Sequence, residues 1–163
     1  MALLFSKGFL ALQAHRAANK FIVSKKTFMA LYLQSQSSKN YGVDIHPSAS
    51  IGNGVMLDHA TGIVIGETSV VEDDVSIFQG VTLGGTGKIT GDRHPKVRKG
   101  VLISAGAKII GNVEIGEGAK VAAGSVVLED VEMNTTVAGV PAIAVGKPAT
   151  DSPAKTVDHS IKD

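Results

Sequence analysis

Aliphatic residues recur every six positions along most of the chain. Ile45, Ile51, Leu57 and Ile63 form one run. After a slip of two, Ile65, Val71, Ile77 and Leu83 continue it, and after a gap come Ile103, Ile109, Ile115, Val121 and Val127. Glycine follows several of them (Gly52, Gly66, Gly116), and a second small or aliphatic residue often stands four places on, at Val55, Val75, Val81, Val113 and Ala119. A helix would repeat at three and four, and a simple strand at two. A period of six fits short strands that each end in a turn around a triangular prism, with the aliphatic side chain pointing inward and glycine making the corner. Three such hexads close one coil, so the array from Ile45 to about Gly146 predicts roughly five coils of a parallel β-solenoid.

Three stretches depart from the period. Residues 84–100 break it with a glycine-rich, basic segment holding Arg93, His94 and Lys96, and long excursions from a regular scaffold more often carry function than not. Residues 2–36 read as one or two amphipathic helices through Phe9, Leu10, Leu12, Phe21, Ile22, Phe28, Leu31 and Tyr32, with Ser24 as N-cap of the second. Residues 1–42 would then cap the open end of the solenoid. Residues 149–163 are polar and predict a mobile tail. The resulting plan is a helical cap over 1–42, a solenoid over 43–148 with an excursion at 84–100, and a tail.

Composition adds exclusions. There is no cysteine, so neither a disulfide nor a thiolate nucleophile is available. No apolar run approaches the ~20 residues of a membrane-spanning helix. No basic stretch precedes the apolar start, which argues against a secretory signal. The net charge of +1 hides an uneven distribution: residues 1–43 hold six Lys/Arg and no acid. That basic start would also suit an organellar presequence. The basic excursion lacks interleaved aromatics, which argues against nucleic-acid binding. Gly84–Gly87 lacks the strand–GxxxxGK[ST]–helix setting of a phosphate loop and suits close approach of a slender ligand instead.

His59 is the candidate general base, because imidazole titrates near neutral pH when a carboxylate supports it. Asp58 is its neighbour and should leave the strand on the opposite side. Asp44 stands 15 residues earlier, close to one coil of 18, so the spacing predicts that Asp44 lies one coil below His59 and supports it. A turn histidine bonded to backbone is the plain alternative. Arg93 and His94 suit a carboxylate, Arg through its planar fork, and Asp58 suits an ammonium group, so together they read as an amino-acid clamp. Ordinary surface solvation explains the same residues equally well. His46, His59 and His94 as a zinc set lack the short spacings of such sites.

The stretches Val43–Pro47, Met56–Glu67, Val81–Lys88, Gly91–Lys96 and Ala138–Ala142 resemble bacterial and plant-type serine O-acetyltransferases, a hexapeptide-repeat acyltransferase family. The resemblance implies a left-handed parallel β-helix with an N-terminal α-helical cap; the period alone does not set the hand. It implies acetyl transfer from acetyl-CoA to the L-serine hydroxyl, giving O-acetylserine for cysteine synthesis. His59 would be the base and Asp44 its partner. Asp58, Arg93 and His94 would hold serine, or L-cysteine as inhibitor, while Gly85, Thr86, Ala105, Lys120 and Ala123 would line the acetyl-CoA groove, with no metal. It further implies a cytoplasmic enzyme with active sites between subunits. Family members carry a longer N-terminal helical domain that joins two trimers and contributes an acidic substrate contact. Only the last part of that domain is present here, so a homotrimer is expected; residues 1–43 hold no acid, so the acidic contact is not carried over. Family tails that dock into cysteine synthase end in Ile, whereas this chain ends Ser160-Ile161-Lys162-Asp163. Acetyl transfer to a sugar or other hydroxyl, or a weakly active regulatory partner of cysteine synthase, are the competing readings.

Overall fold

The computed structural model describes residues 5–88 and 90–157. Two helices, α1 (Lys7–Val23) and α2 (Thr27–Tyr41), precede fifteen short strands. Three faces make a prism. The first stacks β1 (Val43–Ile45), β4 (Ile63–Ile65), β7 (Thr82–Gly84), β10 (Lys108–Ile110) and β13 (Val126–Val127). The second stacks β2 (Ser50–Ile51), β5 (Val70–Val71), β8 (Lys96–Val97) and β11 (Glu114–Ile115). The third stacks β3 (Met56–Asp58), β6 (Ser76–Phe78), β9 (Leu102–Ile103), β12 (Lys120–Val121) and β14 (Thr136–Gly139), and β15 (Ala142–Gly146) turns back antiparallel on β14. The other pairings are parallel, and five strands on the first face correspond to about five coils.

The hexad aliphatics fill the prism: Ile63, Ile77, Leu83, Ile103, Ile109, Ile115 and Val121 are each fully buried. Burial of side chains of this size stabilises by about 1.5–3 kcal/mol each. Coil length, however, is not uniform. Val43 pairs with Ile63, Val64 with Thr82, Thr82 with Lys108, and Lys108 with Val126. The first coil is therefore two residues longer than the next, and the extra pair is His59-Ala60, both left-handed at φ 56°. That insertion is the slip of two seen in the sequence.

The excursion is shorter than predicted. Lys96 and Val97 pair with β5 and β11, and Val97 and Val101 are buried, so 96–100 belongs to a regular coil and the excursion is 85–95. The cap also differs. Ser24 is the C-cap of α1, while Ser6 caps the N-terminus of α1 by accepting from Phe9 N–H at 3.3 Å. In α1 the small residues Gly8, Ala11 and Ala18 face inward with Leu12 and His15. A Cβ on Gly8 would lie 2.0 Å from the Leu57 carbonyl oxygen, so only glycine allows this helix to lie so close to β3. In α2 only Ala30 and Ser37 are buried, and Phe28, Leu31 and Tyr32 are exposed, contrary to the amphipathic reading.

The tail expected to be mobile is docked over its described part. Residues Pro153–Thr156 form a 3-10 turn with Ala154 buried. Ala154 N–H donates to Gly100 O at 3.3 Å, Ser76 Oγ donates to Ala154 O at 3.3 Å, and Lys155 meets Asp74 at 3.0 Å. The Ser160–Asp163 terminus considered for synthase docking lies outside the described residues.

Candidate active site

The three faces meet at three edges, and the candidate residues occupy two of them. Where the third face turns into the first, the corners are His59–Gly62, Gln79–Val81, Ser104–Ala107 and Ala122–Ser125, in coil order. Gly62, Gly80, Gly106 and Gly124 stack there with φ between 68° and 78°. Each glycine N–H donates one coil down, Gly80 to Thr61 O, Gly106 to Gln79 O and Gly124 to Ala105 O, all at 2.9 Å. A Cβ on Gly62 would come within 3.5 Å of Gly80 Cα, and one on Gly80 within 3.5 Å of Gly106 Cα. The edge is thus a smooth column without side chains at the glycine positions, flanked by Thr61, Gln79, Ala105 and Ala123. His59 sits at its foot, and Lys120 lies on the adjoining third face.

The His59 ring projects into solvent, with its side chain 72% exposed. Its Nε2 is 3.9 Å from Asp58 Oδ1, the same oxygen that accepts His59 N–H at 2.9 Å. The coil-spacing argument for Asp44 fails. The coil here is 20 residues and His59 stands only 15 after Asp44, so Asp44 pairs in register with Val64 rather than stacking under His59. Asp44 Oδ1 instead accepts from Gln34 Nε2 on α2 at 2.7 Å, and no hydrogen bond joins Asp44 to His59 among the described residues. The turn that follows His59 is tied to the residue before β1, since Gly62 N–H donates to Gly42 O at 2.7 Å.

Arg93 and His94 occupy a different edge, where the first face turns into the second. They end the excursion and lie over the corner Gly66–Ser69 of the coil below. Arg93 donates to Glu67 Oε2 at 2.7 Å and to Gly91 O at 3.1 Å. That guanidinium holds the Glu67 carboxyl below its usual range. Thr68 grips both residues: its Oγ1 accepts Arg93 N–H at 3.0 Å and His94 N–H at 3.1 Å, and contacts His94 Nδ1 at 2.9 Å. His94 is buried, and burial followed by the nearby Arg93 charge pushes its pKa down. Lys96 bonds Asp92, Thr68 O and His94 O, and holds the Asp92 carboxyl low. Gly85 packs on the same loop, where a Cβ would meet Arg93 O at 3.2 Å, and Thr86 follows it.

The predicted residues therefore split. His59, Asp58, Ala105 and Ala123 lie on one edge, with Lys120 beside it. Gly85, Thr86, Arg93 and His94 lie on another. The strand between them on the first face, β4, spans about 10 Å at roughly 3.3 Å per residue. A single chain does not close the clamp of Asp58 and Arg93. Glu67, Thr68 and Gln34 were not singled out from the sequence; the coil repeat could have found the first two, since Glu67-Thr68 occupies the corner one coil beneath the excursion. No three His, Cys, Asp or Glu side chains gather as a metal site would require among the described residues.

A family model for the bacterial transferase hexapeptide (six repeats) matches residues 94–129. The serine acetyltransferase of Salmonella typhimurium is 61% identical over 157 residues, covering 96% of this chain and 58% of that protein. Among solved structures, serine acetyltransferase from Vibrio cholerae superposes with a TM-score of 0.93 at 63% identity, covering 94% of this chain and 60% of that one. The Brucella abortus enzyme in complex with coenzyme A gives 0.88 at 60% identity, covering 88% and 58%. A serine acetyltransferase in complex with cysteine gives 0.92 at 56% identity, covering 98% and 62%. The chain spans about three fifths of the length of these relatives. With such identity along nearly all of its own length, on the same solenoid, the chain belongs to the serine acetyltransferase family.

Proposed function

We propose that this chain transfers the acetyl group of acetyl-CoA to the hydroxyl of L-serine, in a site formed between copies of the chain. The observation that carries this reading is the split of the site residues between two edges of the prism. If the His59 edge of one copy lies against the 85–95 loop of the next, base and clamp face each other across the glycine column. A homotrimer around a common axis repeats that contact three times and closes it. The column would then take the slender arm of coenzyme A between Ala105, Ala123 and Lys120 on one side and Gly85 and Thr86 on the other.

In this site Arg93 and His94 hold the serine carboxylate and Asp58 its ammonium group. His59 accepts the hydroxyl proton as the serine oxygen attacks the thioester carbonyl. The tetrahedral oxyanion collapses, the C–S bond breaks, and the imidazolium returns the proton to the departing thiolate. No acyl-enzyme is required, and none on sulfur can form without cysteine. Asp44 supports the imidazolium in this proposal. Gln34 engages only its Oδ1, and the Gly62–Gly42 bond ties the His59 turn to the foot of its strand. In this proposal the exposed His59 ring turns from Asp58 toward it. L-Cysteine, which shares serine's ammonium and carboxylate, would occupy the same clamp as an inhibitor. Acetyl-CoA use suits a cytoplasmic enzyme, and among the described residues no helix is long and apolar enough to cross a membrane.

Thiol release from acetyl-CoA, followed with serine, homoserine and sugars as acceptors, tests the reading. Turnover with serine well above the others is expected; turnover only with a sugar would replace it.

A further inference from the structure

His94 is held by two donors on one nitrogen. Thr68 N–H points at His94 Nδ1 at 3.1 Å, and a backbone N–H can only donate. Thr68 Oγ1 lies 2.9 Å from the same nitrogen and already accepts the backbone N–H groups of Arg93 and His94. Its own hydrogen is therefore left for Nδ1. A nitrogen that accepts from both cannot carry a proton, so the neutral ring must carry it on Nε2. No hydrogen bond among the described residues uses Nε2, which lies between Gly66 and Gly85. A Cβ on Gly66 would fall 2.2 Å from it and one on Gly85 3.4 Å. Gly66 thus lets the ring lie against its backbone, and among the described residues the Nε2–H has no protein acceptor. The neighbouring Glu67 meanwhile aims the guanidinium of Arg93. One corner dipeptide, Glu67-Thr68, orients the dipeptide Arg93-His94 above it.

We propose that Thr68 is a positioning residue that locks His94 as an Nε2–H donor, so that His94 and the Arg93 fork present fixed donors to the carboxylate of the acceptor substrate. This rests on the proposed serine reading for the identity of the ligand, but the lock itself does not. Burial, and then the Arg93 charge, lowers the His94 pKa, which favours the neutral ring with a single N–H. The lock discriminates by class: a bound acceptor that lacks a carboxylate shuts water from this fixed N–H without pairing it, which costs more than losing an ordinary contact.

The test uses the full chain with 15N-labelled histidine, Thr68→Val, Thr68→Ala and Thr68→Ser variants, and His94→Asn to assign the signal. Long-range proton–nitrogen spectra report the tautomer directly. The wild type and Thr68→Ser should show His94 protonated only at Nε2, while Thr68→Val and Thr68→Ala, left with only the backbone N–H of residue 68 on Nδ1, should hold it less completely and show a minor Nδ1–H fraction. With serine as acceptor, KM should rise about tenfold in Val and Ala with kcat changed much less, and Ser should restore it. A wild-type His94 protonated at Nδ1 overturns the proposal, whether or not any variant folds. So does a Val variant that matches the wild type in both tautomer and KM. If serine is not turned over at all, the serine reading fails, and the spectra still decide the lock.

Discussion

Gly66 lies flat against the imidazole of His94. A Cβ there would fall 2.1 Å from Cδ2 and 2.2 Å from Nε2, well inside van der Waals contact. Gly66 follows the core residue Ile65 at the corner below the excursion, so the close approach ties a hexad glycine directly to the candidate substrate clamp. Gly66→Ala is expected to displace the His94 ring while leaving the solenoid folded. KM for serine should rise at least tenfold, with an unchanged far-ultraviolet circular dichroism spectrum; kinetics like those of the wild type would show that the ring is not held there.

His59→Ala should lower kcat by about 10²–10⁴-fold, the usual worth of a general base. The supporting carboxylate is read from two further variants. Asp44→Asn is expected to reduce kcat while leaving KM for serine near the wild-type value. Asp58→Asn, if Asp58 holds the ammonium group, should mainly raise KM. The reverse pattern in steady-state kinetics would exchange the two roles, in keeping with the 3.9 Å approach of Asp58 to His59.

The glycine column offers a test of the coenzyme groove. Gly106→Ala places a methyl group on a residue at φ 73°, with Gly124 N 3.9 Å away, so the change is tolerated sterically but strained by about 1–2 kcal/mol. A lower melting temperature and a KM for acetyl-CoA raised more than that for serine are expected. Equal effects on both substrates would remove the column from the groove.

His15 links pH to the docking of α1. It is buried, and desolvation first, then the charge of Arg16, lowers its pKa to about 4. In the unfolded chain it titrates near 6.5, so between pH 6.5 and 4 the unfolded state binds more protons. Its contribution, at most about 3 kcal/mol, is present above pH 6.5 and is lost as pH falls toward 4. Melting temperatures measured across that window should fall with pH in the wild type and fall less in His15→Gln.

Much of the candidate site was legible as residue identities and little of it as geometry. His59, Asp58, Arg93 and His94 stood out because their chemistry is unusual inside an aliphatic repeat. The supports Glu67 and Thr68 did not, since an acidic residue and a threonine at a solenoid corner look like any solvated turn. They acquire meaning only from the excursion that lies on them. The spacing argument for Asp44 did not hold for a related reason: coil length was taken as constant near 18, and the two left-handed residues His59 and Ala60 lengthen the one coil that mattered.

By itself the sequence determined the solenoid, because burying one aliphatic side chain in six leaves a prism of three short strands per coil as the arrangement that covers them. It also determined which side chains carry chemistry, through charge and imidazole placed where the repeat is interrupted. Only the tertiary structure decided which edge each of them occupies. An edge is set by the running count of residues around the coils, and every insertion, from the His59-Ala60 pair to the 85–95 loop, shifts that count for a reader of the sequence. Backbone pairing between coils restores the register in the folded chain. That register sets His59 and the Arg93-His94 pair on separate edges of the prism.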